Sequence, residues 1–305
     1  MEDSDSEIDE VMSEIHLGCP PGTKKPFLSR FTFSFDSHHL TVDKDGDLLL
    51  PRRNNSFTSF YHIYAPSCWS AEFVLHKTCT SSDFHGIVCL ELGAGTGLLG
   101  ILLARVAKAV FLTAIWSHQA FSLFNSSPYY IDHGDQILCN CANNVHINSS
   151  LFNPQTVVNV RELNWMSEWP TEDSHCHCRI PDMYSWSSQD FEQVKNASFI
   201  FAADVIYSDD LTIALFSTLK RLMSFGCDKV LYLGLEKRYN FSLDDLNVVA
   251  NGYACFRSYI KEDGLCKQEK GFFVGKRIDV TQIPRYMKDY DRGEDVELWE
   301  IKYVF

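Results

Sequence analysis

The chain is predicted to be an α/β protein with a doubly wound, mostly parallel, seven-stranded sheet and an N-terminal β-hairpin. Two observations predict that fold. Apolar runs of strand length (Val88–Leu92, Ala109–Thr113, Val157–Leu163, Ala197–Ala203 and Lys229–Leu235) alternate with segments whose apolar residues recur at helical spacing. The first run passes through Gly93-Ala94-Gly95-Thr96-Gly97 directly into an apolar helix that starts at Leu98 and is expected to reach about Val106.

The other elements follow in order. Residues 1–26 are rich in Asp, Glu and Ser and read as a disordered acidic tail. Residues 27–60 read as a hairpin appendage: Phe31 to Phe35 alternates with period two, Asp45-Gly46 supplies the turn, and Leu48–Leu50 returns. The main domain is then 61–305. Trp69 to Lys77 reads as an amphipathic helix, and Trp69 suits either a cofactor face or the helix–sheet interface. A helix over Asp132–Ser149 places Ile137, Leu138, Cys141 and Val145 on one face. Ser167–Asp190, with Pro170 and Pro181, reads as a loop. Its His175-Cys176-His177-Cys178 run offers zinc-type ligands, but alternate residues in one loop rarely make a tetrahedral set, so no metal is expected. Asp209–Met223 reads as a helix, Phe241–Phe256 as mostly helix, and Phe272–Val274 and Glu297–Ile301 as terminal strands.

Composition narrows the function classes. The chain has 305 residues, 45% hydrophobic and 22% charged, as in ordinary globular proteins. A net charge of −13 argues against direct nucleic-acid binding, which needs a basic footprint. The first residues are acidic, with no apolar run behind them, so no secretory signal is expected. No run is long and apolar enough to suggest a membrane span. Eleven cysteines without a C-x-x-C pair then read as reduced thiols of a nuclear or cytoplasmic protein.

The glycine turn carries the chemistry. Three glycines in five residues are costly for a turn that binds nothing, and they let a ligand touch bare backbone beside the helix start. Gly95-Thr-Gly97-Leu-Leu-Gly100 also fits the dinucleotide pattern G-x-G-x-x-G, which keeps an NAD-dependent oxidoreductase open. Glu91, however, stands two residues before Gly93, and Glu-x-Gly-x-Gly-x-Gly resembles the cofactor loop of class I methyltransferases, which bind S-adenosylmethionine. After the fourth strand, Asp204-Val-Ile-Tyr207 resembles the Asp-x-x-Tyr signature of family 16 protein methyltransferases, which mostly modify lysine. Glu236-Lys-Arg-Tyr-Asn-Phe and Glu297-Leu-Trp-Glu-Ile add to that resemblance.

The resemblance implies S-adenosylmethionine as cofactor and a protein lysine as substrate. It implies that Gly93, Gly95 and Gly97 cradle the methionine part while Glu91 deals with its amino-acid end. Asn164 and Trp165 would border the adenine, and Ala203 would lie on the cofactor side of strand four. Asp204 would face the methyl-transfer point and Tyr207 would shape the lysine channel. A methyltransferase-fold interaction protein without turnover is the alternative from another class. Asn125-Ser-Ser-Pro128-Tyr129 resembles a nucleic-acid amino-methylation block but follows strand two, the wrong place for one.

Both cofactor classes need an acid after strand two for the ribose hydroxyls. None lies between Glu91 and Asp132. Removing the eighteen residues 114–131 would join Thr113 to Asp132 and put an acid there, so 114–131 reads as an insertion and Asp132 as the ribose ligand.

Overall fold

In the computed structural model the described residues are 16–17, 27–32, 47–52, 63–114, 134–167, 182–206, 208–242, 247–262, 270–286 and 295–305. The expectations for Asp132, Tyr207, residues 115–131 of the insertion, the His175–Cys178 run and most of the acidic tail lie outside them.

The main sheet has eight strands, numbered here in chain order: β1 Val88–Leu92, β2 Ala109–Ala114, β3 Val157–Glu162, β4 Phe199–Ala203, β5 Val230–Glu236, β6 Ile260–Glu262, β7 Phe272–Arg277 and β8 Val296–Val304. Their order across the sheet is β6-β7-β8-β5-β4-β1-β2-β3. Only β8 runs against its neighbours β5 and β7; the other pairs are parallel. The sheet therefore grows one way from β1 to β2 and β3, then restarts at β4 on the other side of β1. That reversal opens a crevice beyond the C-terminal ends of β1 and β4, where doubly wound sheets hold their ligands.

Among the described residues, six α-helices accompany the sheet: α1 Ala65–Thr80, α2 Leu98–Leu103, α3 Gly134–Ile147, α4 Ser188–Lys195, α5 Asp209–Met223 and α6 Asn251–Tyr259. Strand alternation divides the core between the two faces. Cys89, Val110, Leu112, Phe201 and Ala203 join the layer under α1, α2 and α3. Leu90, Phe111, Ile200 and Ala202 join the layer under α4, α5 and α6. Phe84, Phe199, Phe201 and Tyr232 add edge and stacked ring contacts between the first layer and α1's Phe73.

Several elements differ from the sequence expectation. The eighth strand, β6, is three residues long with Ile260 alone buried, too short for any periodicity to show. Within the segment expected to be mostly helix, 240–242 pairs antiparallel with 247–249, and α6 begins only at Asn251. The β-branched pair Val248-Val249 favours that ladder over a helix. α4 occupies the end of the expected 167–190 loop. Its start is a capping box: Ser187 accepts from the amide of Asp190, and Asp190 accepts from the amide of Ser187. α1 begins before Trp69, with Pro66 in its first turn, where a missing N–H is harmless. Ala114, placed in the insertion by sequence, is the last residue of β2 opposite Glu162. In the N-terminal region, Phe27–Thr32 pairs antiparallel with Asp47–Arg52, and His16–Leu17, within the expected tail, pairs with Ile63–Tyr64.

Gly100 is where α2 meets the sheet. A Cβ there would lie 2.1 Å from Leu112 Cδ2, 2.8 Å from Leu112 Cγ and 3.0 Å from Glu91 Oε2. Gly100→Ala is expected to destabilise the protein by about 1–3 kcal/mol, the usual cost of overpacking a filled core. The check is urea denaturation, with a lower midpoint and an unchanged slope.

Candidate active site

The glycine turn is fixed by its own backbone. Gly93, Gly95 and Gly97 have φ of 67°, 55° and 82°, a region that side chains with a Cβ rarely enter. The amide of Ala94 donates to the carbonyl of Thr113 at 2.8 Å, and that of Gly97 to the carbonyl of Ala94 at 2.7 Å. From α3, buried Asn144 donates Nδ2 to the carbonyl of Thr96 at 2.9 Å. The glycines differ in what surrounds them. A Cβ on Gly93 would meet Val205 Cγ1 at 2.8 Å and the Trp165 ring at 3.5 Å, and one on Gly97 would meet Cys141 Sγ at 3.1 Å. One on Gly95 would meet only the Gly93 carbonyl oxygen, at 4.0 Å. The loop thus presents its open side at Gly95, a cradle that any side chain would fill.

Glu91 lies at the end of β1, 3% exposed, and its Oε2 accepts from the amide of Gly100 at 2.9 Å. Gly100 is the third residue of α2, so the carboxyl takes one of the helix's orphan amides in place of a capping side chain on Gly97. Burial pushes the carboxyl up to about 8, against the opposing pull of the Gly100 amide. The folded protein therefore keeps this proton over a range where the unfolded chain has lost it. Stability from this group falls as pH rises from about 4.5 to about 8, by at most about 1.4 kcal/mol per pH unit. Glu91→Gln keeps an acceptor for Gly100 and removes the titration. The difference in urea stability between variant and wild type is expected to move in the variant's favour across that window.

The residues after β3 and β4 close on the turn. Trp165, 4% exposed, lies against Gly93 together with Val205. Asn164 spends Oδ1 on the amide of Met166 at 2.9 Å, an Asx turn that shapes the exit from β3. Ala203 is the last residue of β4, 8% exposed. Trp69 is buried in the layer under α1 with Cys68, Phe73 and Val74.

Asp204 follows Ala203 and is the one non-glycine among the described residues with positive φ, at 59°. Its amide donates to the carbonyl of Gly234 at 2.9 Å. Its side chain is 9% exposed, and Oδ1 accepts from the guanidinium of Arg238. Arg238 Nε also lies 3.7 Å from Glu236 Oε2, so one cation spans carboxylates from the ends of β4 and β5. Burial pushes the Asp204 carboxyl up to about 6, while the Arg238 charge and hydrogen bond pull it down and Glu236 adds a smaller upward push.

Behind this pair stands Glu297 on β8, 2% exposed. It accepts from Lys237 Nζ at 2.9 Å, Trp299 Nε1 at 2.9 Å and Tyr253 Oη at 3.0 Å, and Arg277 lies 3.2 Å away. Burial acts to raise its carboxyl, and the bonds from Lys237 and Trp299 outweigh it and hold the group below its usual range. The amide of Lys237 donates to the carbonyl of Asp295 at 2.9 Å. The Glu236-Lys237-Arg238 turn is thereby clamped to β8.

The structure thus brings Gly93, Trp165, Val205 and Asp204 together at the switch point. Sequence reasoning assigned no role to Arg238, Asn144 or Gly100. Gly100 was legible as the third glycine of G-x-G-x-x-G, whose function in such turns is close helix–strand packing. The other two act through contacts between distant segments.

The sequence pattern of the family described as lysine methyltransferase matches residues 53–250. The chain belongs to this family. Within it, the chain is 33% identical to human methyltransferase-like protein 22 over 236 residues, 76% of this chain and 51% of that protein. Against the mouse methyltransferase-like protein 22 it is 33% identical over 225 residues, 72% of this chain and 50% of the other. The chain spans about half the length of the curated relatives it matches. Among solved structures, a magnesium protoporphyrin IX methyltransferase from Synechocystis aligns with a TM-score of 0.41 at 11% identity, covering 82% of this chain and 90% of that one. The fold assignment rests on this chain's own strand order. No helix among the described residues is long and apolar enough to cross a membrane.

Proposed function

We propose that this chain is an S-adenosylmethionine-dependent protein methyltransferase whose acceptor is a lysine side chain. Family membership supports the reaction class. The observation that carries the reading of the site is Asp204, a nearly buried carboxyl in a left-handed backbone conformation at the mouth of the β1/β4 crevice. Backbone strain of that kind persists where surrounding contacts enforce it, and it gathers at functional sites.

The glycine turn fits the cofactor, because a Cβ at Gly95 would meet only the Gly93 carbonyl oxygen, at 4.0 Å, which leaves that side of the loop open to a ligand. Gly93, Gly95 and Gly97 would hold the methionine part, and Asn164 and Trp165 would border the adenine. Bound there, S-adenosylmethionine supplies a methyl carbon on a cationic sulfur, open to in-line displacement by a neutral amine. Asp204 has two tasks toward that amine. It attracts the lysine ammonium into the crevice. Once that ammonium has given a proton to solvent, Asp204 accepts a hydrogen bond that orients the amine toward the methyl carbon, the sulfur keeping the electron pair of the broken S–C bond. Trp165 and Val205, packed against Gly93, narrow the crevice between cofactor loop and acceptor.

The test is transfer of labelled methyl from adenosylmethionine to a cell extract, with calorimetry of adenosylmethionine and of NAD in parallel. Label in protein, with adenosylmethionine bound and NAD unbound, is expected. Label confined to RNA, or NAD as the only ligand, would overturn the reading.

A further inference from the structure

We propose that Arg238 is a positioning residue for methyl transfer: it grips Oδ1 of Asp204, fixes that carboxylate's aim, and leaves Oδ2 to the incoming amine. The inference rests on the reading of Asp204 as the group at the transfer point.

The geometry supports it from three sides. First, the contact is sheltered: the Arg238 side chain is 13% exposed, that of Asp204 9% and that of Glu236 7%. A pair so placed has lost most of its solvent, so its geometry is held by partners and not by water. Second, the cation is itself braced. The turn that carries it is tied to β8 through Lys237, whose amide reaches Asp295 and whose Nζ reaches Glu297, both at 2.9 Å. Lys237 also sits 5.1 Å from the centroid of the Tyr253 ring. Third, Asp204 needs holding. Its φ of 59° is a conformation that residues with a side chain rarely adopt, so its contacts must enforce it. The Gly234 carbonyl fixes its backbone and Arg238 fixes its side chain. No described group bonds Oδ2.

The chemistry gives the arrangement a purpose. An acceptor lysine arrives as an ammonium, with a pKa of about 10.4, and reacts only as the amine. A carboxylate alone would bind the ammonium and keep it protonated. A fixed guanidinium at the same carboxylate weakens that hold and favours the neutral amine, while Glu236 keeps the local balance negative and tolerant of a cationic methyl donor. Among the described residues, the charged groups that face Asp204 are Arg238 and Glu236, both from the end of β5; Lys237 and Arg277 are turned to Glu297. Arg238 opposes the upward push of burial on Asp204. Removing it raises the pH at which the carboxyl ionises.

The experiment is a 13C NMR titration of aspartate Cγ in wild type, Arg238→Gln and Arg238→Lys, with Asp204→Asn to assign the signal. Methyl-transfer pH profiles and cofactor affinity are measured on the same proteins. The wild-type midpoint is expected near pH 6. Arg238→Gln is expected to raise it by about one unit or more, to carry the acidic limb of the activity profile with it, and to lower kcat about tenfold or more at unchanged cofactor affinity. Arg238→Lys keeps the charge without the planar fork and is expected to fall between the two; if the Gln variant does not fold, the Lys variant decides. Wild-type midpoint and kcat in the folded variant would overturn the role of Arg238, and leave the reading of Asp204 standing if Asp204→Asn is inactive. Full activity in Asp204→Asn would overturn both.

Discussion

Replacing Asp204 by Asn is expected to slow methyl transfer by about a hundred- to ten-thousand-fold, the range spanned by loss of one positioned acid–base group. Cofactor affinity and fold should stay near wild type. Asn is the informative substitution because it tolerates the left-handed backbone that Asp204 adopts, at φ 59°. It also keeps an oxygen for the Arg238 guanidinium, so the lost feature is the negative charge offered to the acceptor amine. Asp204→Ala tests two things at once: it removes the carboxylate and adds a backbone penalty of about 1–2 kcal/mol. The measurements are single-turnover transfer, cofactor calorimetry and urea stability on both variants. Asn at wild-type turnover would remove Asp204 from the site.

The second large effect belongs to Gly95. Gly95→Arg is expected to abolish cofactor binding in calorimetry. Its Cβ has no neighbour nearer than the Gly93 carbonyl oxygen at 4.0 Å, so the added side chain meets little of the protein and stands in the loop's open side. Gly93 and Gly97 would not give so clean a test, because a Cβ there first strikes Val205 or Cys141. Gly95→Ala is the control. It carries the same strain at φ 55° with little bulk, and is expected to retain more affinity than the Arg variant. Equal affinities in wild type and Gly95→Arg would show that the turn holds no cofactor.

What the sequence disclosed follows from the range of the interactions involved. Gly93, Gly95 and Gly97 were legible because the conformation they supply belongs almost to glycine alone, and all three adopt positive φ. α5 was expected at Asp209–Met223 and occupies those residues. Its ends are marked in the sequence by Asp209 and Asp210 in the first turn and Lys220 and Arg221 in the last. β6 was not legible, since three residues at a sheet edge carry no period. α4 was legible in principle through Ser187 and Asp190, but the prolines before it drew the expected loop too far. The site divides the same way. That Glu91 ends a strand before the glycines is local information. That its carboxyl turns back onto Gly100 depends on how α2 leaves the turn. Arg238 on Asp204 joins two strand ends 34 residues apart, a contact that no spacing rule announces.

The proposed reaction is methyl transfer to lysine in protein, with Asp204 at the transfer point. The most direct measurement is mass spectrometry of a cell extract incubated with deuterated-methyl adenosylmethionine and either the wild type or Asp204→Asn. Labelled methyl groups on lysine side chains are expected with the wild type, and none with the variant. Label on another residue type, on nucleic acid alone, or equally with both proteins would contradict it.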